Sequence, residues 1–142
     1  KKWNDTFAVN LTAPMLCCRK ALKHLPDGSS IVFISSIAAL RSGSRLIAYD
    51  TSKAALGGLM RNVAKEGARR GIRANIICPG LVDTPLGRHT SAGRPSRSAA
   101  GVPFGRMATG WEIAYAALFF ISDESVYVSA QTLAVDSGIT GL

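Results

Sequence analysis

The sequence predicts an α/β protein built on a doubly wound parallel sheet. Three observations predict it. Short apolar runs, Ile31-Val32-Phe33-Ile34, Ile72 to Cys78 and Gln131 to Val135, show no regular polar alternation, as expected of strands covered on both faces. Longer helical patterns separate these runs, which is the spacing of crossovers between parallel strands. Each run ends in a turn rich in Ser, Pro, Gly or Asp, and the ends of strands are where open α/β sheets carry their chemistry. With 142 residues, 47% of them hydrophobic, the chain can build one modest core and is not a disordered composition.

Residues 3–24 are expected to be helical, because Trp3, Phe7, Leu11 and Met15 recur at i+4 and share one stripe. Pro14 lies inside this helix. It cannot donate to the carbonyl of Asn10, four residues back, so it kinks the helix and frees one backbone acceptor. Pro26-Asp27-Gly28 is a turn. The first strand, 31–35, leads to Ser36 and then to a loop rich in Ser, Gly and Arg. The next helix is expected over 47–70, with Ala54, Ala55, Leu59, Val63 and Ala64 on its buried side. Gly57 and Gly58 weaken it by up to ~1 kcal/mol each, which points to close packing against another helix, in this chain or in a second subunit.

Gly71 stops that helix. The second strand, 72–78, ends in Pro79-Gly80-Leu81-Val82-Asp83-Thr84-Pro85. Residues 87–105 are rich in Gly, Ser, Arg and Pro and are expected to form a mobile loop. Thr109-Gly110-Trp111-Glu112 has the T-x-x-E form of a capping box and opens a helix over 111–121. A last strand, 131–135, is closed by Asp136-Ser137-Gly138. The three strands should be neighbours in one sheet, with helices 47–70 and 111–121 on its opposite sides or at its rim.

The charge is uneven. Residues 1–80 carry 13 Lys/Arg against 4 Asp/Glu, and residues 81–142 carry 4 against 5. No aromatic-interleaved basic run, zinc-finger spacing or helix-turn-helix signature accompanies the net +8, so nucleic acid is not an expected partner. No apolar run reaches the length of a membrane span. Lys1 to Asp5 lacks the apolar region of a secretory signal, and a cytoplasmic protein is expected. Without an initiator methionine, the chain reads as a piece of something longer or a trimmed form. Cys17, Cys18 and Cys78 give no C-x-x-C and an odd count, which suits reduced thiols. With only His24 and His89 besides, spacing assembles no metal site.

One cluster of residues carries chemistry. Tyr49 and Lys53, four apart on the 47–70 helix, lie on one face. A tyrosine phenol titrates near pH ~10, and a neighbouring ammonium favours its phenolate. Such a phenol can give or take a proton near working pH. Ser36, at the end of the first strand, can hold a substrate oxygen across the site. This set suits proton transfer to or from a carbonyl–alcohol pair.

Ser36, Tyr49-x-x-x-Lys53 and the step of thirteen residues between Ser36 and Tyr49 resemble the short-chain dehydrogenase/reductase family. Val9-Asn10-Leu11, Pro79-Gly80-Leu81-Val82-Asp83-Thr84, Ile121-Ser122-Asp123 and Gln131 to Asp136 extend the resemblance along nearly the whole chain. It implies a Rossmann-like sheet and hydride transfer between NAD or NADP and a small alcohol or ketone. By the same resemblance, Tyr49 is the general acid/base and Lys53 its modifier and ribose anchor. Ser36 orients substrate, and Asn10 serves a proton relay through a water. Pro79, Gly80, Val82 and Thr84 match positions at the nicotinamide end. Residues 87–105 match the substrate lid. Helices 3–24 and 47–70 match those that pack across a two-fold axis, implying a dimer or tetramer.

The pattern has departures. Ala130 stands where a glycine is usual, and Ser137 replaces the first of two glycines. The glycine-rich turn that cradles a pyrophosphate, the residue choosing NAD or NADP, and the N-N-A-G segment are absent. Residues 1–142 therefore read as the carboxyl-terminal, catalytic part of a single domain. A non-catalytic scaffold or an inactive fragment is the alternative expectation. A serine hydrolase fits poorly, because Ile34-Ser35-Ser36-Ile37 lacks the small residues of a nucleophile elbow.

Overall fold

The computed structural model describes residues 1–41, 44–94 and 101–141. Three parallel strands, β1 (Ser30–Ile34), β2 (Arg73–Pro79) and β5 (Thr132–Val135), form a sheet in the order β1-β2-β5. The expected neighbours are thus all present, with β2 central. A second, two-residue parallel pair joins β3 (Val82–Asp83) to β4 (Ala108–Thr109). Every residue of β2 from Arg73 to Cys78 is buried, which explains why its sequence shows no alternation.

The two long helices cover opposite faces, as expected. Register pairs Ser30 with Arg73, Ile31 with Ala74 and Phe33 with Ile76. Phe33, Ala74 and Ile76 join one core cluster with Leu56, Met60 and Val63 of α3 (Ile47–Gly67). Side chains alternate along a strand, so Ser30 and Arg73 face the other side. There both bond the carbonyl of Phe120 in α5 (Gly110–Ile121), at 2.7 Å each. Arg73 also reaches Ser125 Oγ at 2.7 Å and the Ser122 carbonyl at 3.1 Å. A buried guanidinium thus satisfies carbonyls at the carboxyl end of α5, where a cation is favoured.

The first helix is longer in plan than any single segment. α1 (Lys2–Phe7), a π-helical turn (Ala8–Thr12) and α2 (Ala13–Ala21) run on without a break. The kink expected at Pro14 takes the form of this widened turn. Ala13 N–H bonds the Ala8 carbonyl, five residues back, and Pro14 has no N–H to give. The carbonyls of Val9 and Asn10 therefore both lose their usual i+4 donor. Trp3 and Phe7 of the expected stripe stack at 4.6 Å near the surface, Leu11 packs against the core, and Cys18 and Leu22 are the buried residues of this stretch.

Three details correct the sequence reading. The buried stripe of α3 is Ser52, Leu56, Met60, Val63, Ala64 and Gly67, whereas Ala54 is exposed and Ala55 and Leu59 are half-buried. The alanines carried too little apolar surface to decide which side faces the sheet. The segment 87–105 is not all loop. α4 (Pro85–Ser91) begins before it, with Thr84 Oγ1 capping Gly87 N–H at 3.0 Å and Pro85 pre-set at the first helical position. Of the remainder, residues 95–100 lie outside those described. Helix 3–24 stops at Ala21, and Leu22 to His24 turn.

The capping box forms as expected. Glu112 accepts from Thr109 N–H at 2.7 Å and receives both Arg106 terminal nitrogens, at 2.8 and 2.6 Å. Arg106 foremost, then the Thr109 N–H, hold the Glu112 carboxyl down to about 2 from its ordinary 4.5. A depressed carboxyl contributes stability above its unfolded value and loses it as the folded value is approached from above. The stability difference between the native chain and Glu112→Gln should therefore be constant at neutral pH and shrink between pH 4.5 and about 2. Carboxyl-carbon NMR titration of Glu112 checks the cause: Arg106→Gln should move its midpoint back up.

Candidate active site

The site forms at the carboxyl ends of β1 and β2. Ser35, buried behind Ser36, holds the end of β1 in two directions. Its N–H donates to the Ile77 carbonyl of β2 at 2.7 Å, and its hydroxyl donates to the Lys53 carbonyl of α3 at 2.8 Å. The backbone then turns, and Ser36 caps a single 3-10 turn over Ile37–Ala39. Ser36 Oγ accepts from Ala38 N–H at 3.2 Å, which leaves its hydroxyl proton free to donate.

α3 carries the next two residues. Ser44 bonds the Asp50 carboxylate and accepts from Leu46 N–H, fixing the entry to the helix just before Tyr49. Lys53 lies one turn on. Its ammonium is 5.8 Å from the Tyr49 ring centroid and donates to the Ile34 carbonyl at 3.0 Å. Burial pushes the Lys53 ammonium below its ordinary value, with the Cys78 sulfur acting the other way. Cys78 lies behind the same site, buried, and burial raises its thiol.

Asn10 reaches the site through a partner. Its Nδ2 donates to Ser52 Oγ at 3.0 Å, and Ser52 donates to the Tyr49 carbonyl at 2.8 Å. Ser52 is fully buried, so this link is shielded from water. The side chain of Asn10 thus pins the π-helical turn to α3, while its carbonyl stays without an i+4 donor. Sequence reasoning missed Ser35, Ser44 and Ser52 as supports of the site, since a single serine in a loop or a helix gives no period. Only their place beside Ser36 and Tyr49 in the chain marked them.

The Pro79 to Thr84 segment follows β2. Gly80 N–H bonds the Val135 carbonyl at 3.0 Å, and a Cβ at Gly80 would stand 2.8 Å from Asp136 Cβ. No larger residue fits there without displacing the Asp136 turn. Thr84 N–H bonds the Val82 carbonyl at 3.0 Å, and its hydroxyl oxygen is spent on capping α4, leaving the hydroxyl proton to donate. So hydrogen bonds anchor Asn10 to the Tyr49 backbone through Ser52, and Lys53 to the strand end that carries Ser36 through Ser35 and the Ile34 carbonyl, while Pro79 to Thr84 follow β2 beside them.

Residues 1–140 match the family described as Enoyl-(Acyl carrier protein) reductase. The chain belongs to the short-chain dehydrogenase/reductase family. It is 34% identical over 145 residues to the short-chain dehydrogenase/reductase aba4 of Botryotinia fuckeliana, covering 96% of this chain and 55% of that protein. A short-chain type dehydrogenase/reductase from Mycobacterium ulcerans superposes with a TM-score of 0.88 at 32% identity, over 97% of this chain and 52% of that one. A blue fluorescent protein from a metagenomic library, solved in complex with NADPH, gives 0.85 at 32% identity over 94% and 54%. The chain spans about half the length of the curated relatives it matches. Its general class is that of an oxidoreductase fold, and among the described residues no helix is long and apolar enough to cross a membrane.

The Asn10–Ser52 link can be measured by itself. Asn10→Ala and Ser52→Ala should each cost about 1 kcal/mol of unfolding free energy, the net worth of a buried hydrogen bond. The double variant should cost clearly less than the sum, because both changes remove the same bond. Urea unfolding of the four proteins reads this; strict additivity contradicts the link.

Proposed function

We propose that this chain is the catalytic half of an oxidoreductase that interconverts a small alcohol and ketone with NAD or NADP. The observation that carries the reading is the placement of Tyr49 and Lys53 one turn apart on α3, with Lys53 bonded to the end of β1 just before Ser36 and Asn10 bonded through Ser52 to the Tyr49 backbone. Ser36 donates its free hydroxyl proton to the substrate oxygen and orients it. Tyr49 gives that oxygen its proton in reduction and takes it in oxidation. The Lys53 ammonium stabilises negative charge developing on the phenol oxygen. The Asn10 carbonyl, lacking its helical donor, accepts a hydrogen from a water that leads protons to and from Lys53.

The donors present fit a nicotinamide nucleotide. Lys53 has three N–H donors and spends one on the Ile34 carbonyl. Tyr49 and Lys53 would hold the ribose. Pro79, Gly80, Val82 and Thr84 would hold the nicotinamide end, with the close approach that Gly80 permits. When bound, the cofactor gives or receives the hydride. The edge position of β1 supports reading residues 1–142 as part of one domain whose sheet continues beyond that strand. The same helices that frame the site supply a face for a second copy. At Gly58 an added Cβ would meet no atom within 4 Å, so the space beside it is open to a partner helix. Met60, by contrast, is fully buried in the chain's own core, so a charge placed there tests folding; Leu59 is the residue that tests a dimer or tetramer.

Two outcomes test this reading. Tyr49→Phe, in the full-length enzyme, should abolish turnover and leave the unfolding midpoint unchanged, since only the titrating hydroxyl is lost; substantial residual activity removes Tyr49 from its role. Calorimetric titration of the 142-residue chain alone with NADH and NADPH should show no tight binding. Affinity in such folds leans on pyrophosphate contacts from a glycine-rich turn that these residues do not contain. Micromolar binding would contradict the division of labour between the two halves.

A further inference from the structure

We propose that Ser137 is a substrate-selecting residue, whose hydroxyl receives or donates a hydrogen bond to a second oxygen of the substrate, away from the reacting carbon. The proposal rests on the oxidoreductase reading above and adds to it the kind of substrate. Three observations converge on this residue. First, its backbone is left-handed, with φ at 57°, a region a side chain enters at a cost and glycine enters freely. The loop following β5 thus holds a side chain in a conformation that glycine would adopt without that cost. Second, the hydroxyl oxygen is sealed from solvent, and it is the one buried side-chain polar atom among the described residues without a hydrogen-bond partner. Third, Ser137 lines a cavity of about 110 Å³.

The chemistry of that cavity defines what it takes. Leu81, Val102, Phe104, Val135 and Ile139 make most of the wall apolar. Its charged groups are already engaged. Arg106 and Glu112 pair with each other, and the Asp136 carboxylate accepts from Gly138 N–H and Thr140 N–H at 2.9 Å and from the Thr140 hydroxyl at 2.7 Å. A polar ligand atom entering this space finds the Ser137 hydroxyl wholly uncommitted, and a turn about its Cα–Cβ bond re-aims it; the remaining N–H groups of Arg106, already paired with Glu112, are the other side-chain donors of the lining. The cavity's Asp136 and Ile139 lie against the Gly80 turn, at the carboxyl ends of β2 and β5, the same end of the parallel sheet as Ser36. Arg41, five residues beyond Ser36, bonds the Ile139 carbonyl at 3.0 Å and ties this loop to the one that carries Ser36. Backbone strain together with an unmet hydrogen bond is kept in a fold where it serves a site. A substrate with an apolar body and an oxygen several bonds from its reacting carbonyl supplies the missing hydrogen-bond partner.

The test compares three full-length proteins: native, Ser137→Ala, which removes only the hydroxyl, and Ser137→Gly, which also releases the left-handed strain. The probes are cyclohexanone and 1,4-cyclohexanedione, which differ by the second oxygen. The native protein should favour the dione in kcat/KM by about tenfold, the worth of one hydrogen bond made in the site. Both variants should lose that preference, and Ser137→Gly should unfold at a higher temperature than native, so that stability and selectivity move in opposite directions. A purely structural serine would change stability and leave the ratio of the two ketones alone. Equal ratios in the three proteins, or no native preference for the dione, overturn the proposal. If neither ketone is turned over, the oxidoreductase reading is what has failed. Heat protection by each ketone then decides the role of Ser137: greater protection by the dione in the native protein alone sustains it, and equal protection in all three overturns it.

Discussion

The end of β1 is held by one residue, Ser35, that the rest of the site depends on. Ser35 joins β1 to β2 through its N–H and to α3 through its hydroxyl. Ser35 is itself buried, where an unmade hydrogen bond is costly. Because the bond to α3 lands on the Lys53 carbonyl, it fixes the rotation and height of that helix against the strand. Tyr49, one turn earlier, is placed with it. Ser36, the next residue after Ser35, is then carried to the same place by chain connectivity alone.

The remaining contacts extend this arrangement outward. Lys53 spends one N–H on the Ile34 carbonyl, one residue before Ser35, so its ammonium is drawn toward the strand end. Ser52 links Tyr49 to Asn10 and hence to the first long helix. On the other face of the sheet, Arg73 and Ser30 hold the last turn of α5 through the Phe120 carbonyl. Asn75 bonds the Val128 carbonyl at 2.8 Å and Gln131 N–H at 3.0 Å, which leads the chain into β5. β5 in turn supplies Val135, whose carbonyl holds Gly80. The Ser36–Tyr49–Lys53 region and the Pro79 to Thr84 segment are therefore joined through the central strand.

Much of this was legible in the sequence, and for identifiable reasons. β2 is buried on both sides, so composition alone marks it as a strand. The Thr109–Glu112 box marks the start of α5 because capping is local chemistry. Tyr49 and Lys53 stand out because helical spacing puts them on one face. What sequence did not reveal depends on contacts between distant segments. The buried stripe of α3 runs through Leu56 and Met60, a choice decided by Phe33 and Ile76 opposite and not by the alanines beside them. The kink near Pro14 is a π-helical turn because the strain is absorbed one turn earlier, where Asn10 is anchored to Ser52. The helix at Pro85 was hidden by the glycine and polar residues of the following segment, which mask a good cap at Thr84.

β1 lies at the sheet edge, and α5 turns Trp111, Tyr115 and Leu118 outward at 73, 64 and 56% exposure. An unpaired edge and exposed large side chains are surfaces that a fold of this class covers with further structure. The proton-transfer set proposed for Ser36, Tyr49, Lys53 and Asn10 lies wholly within residues 1–142, and the Ser35 tie holds its strand and helix together. The most direct measurement is kcat for Ser35→Ala in the full-length enzyme, set beside its unfolding midpoint. Loss of the bond to Lys53 should let α3 shift against β1, and displacement of reacting groups by about 1 Å lowers rate by roughly a hundredfold. The account predicts a fall of that order in kcat with a folded protein and a little-changed KM. A folded Ser35→Ala enzyme with kcat equal to that of the native protein would contradict it.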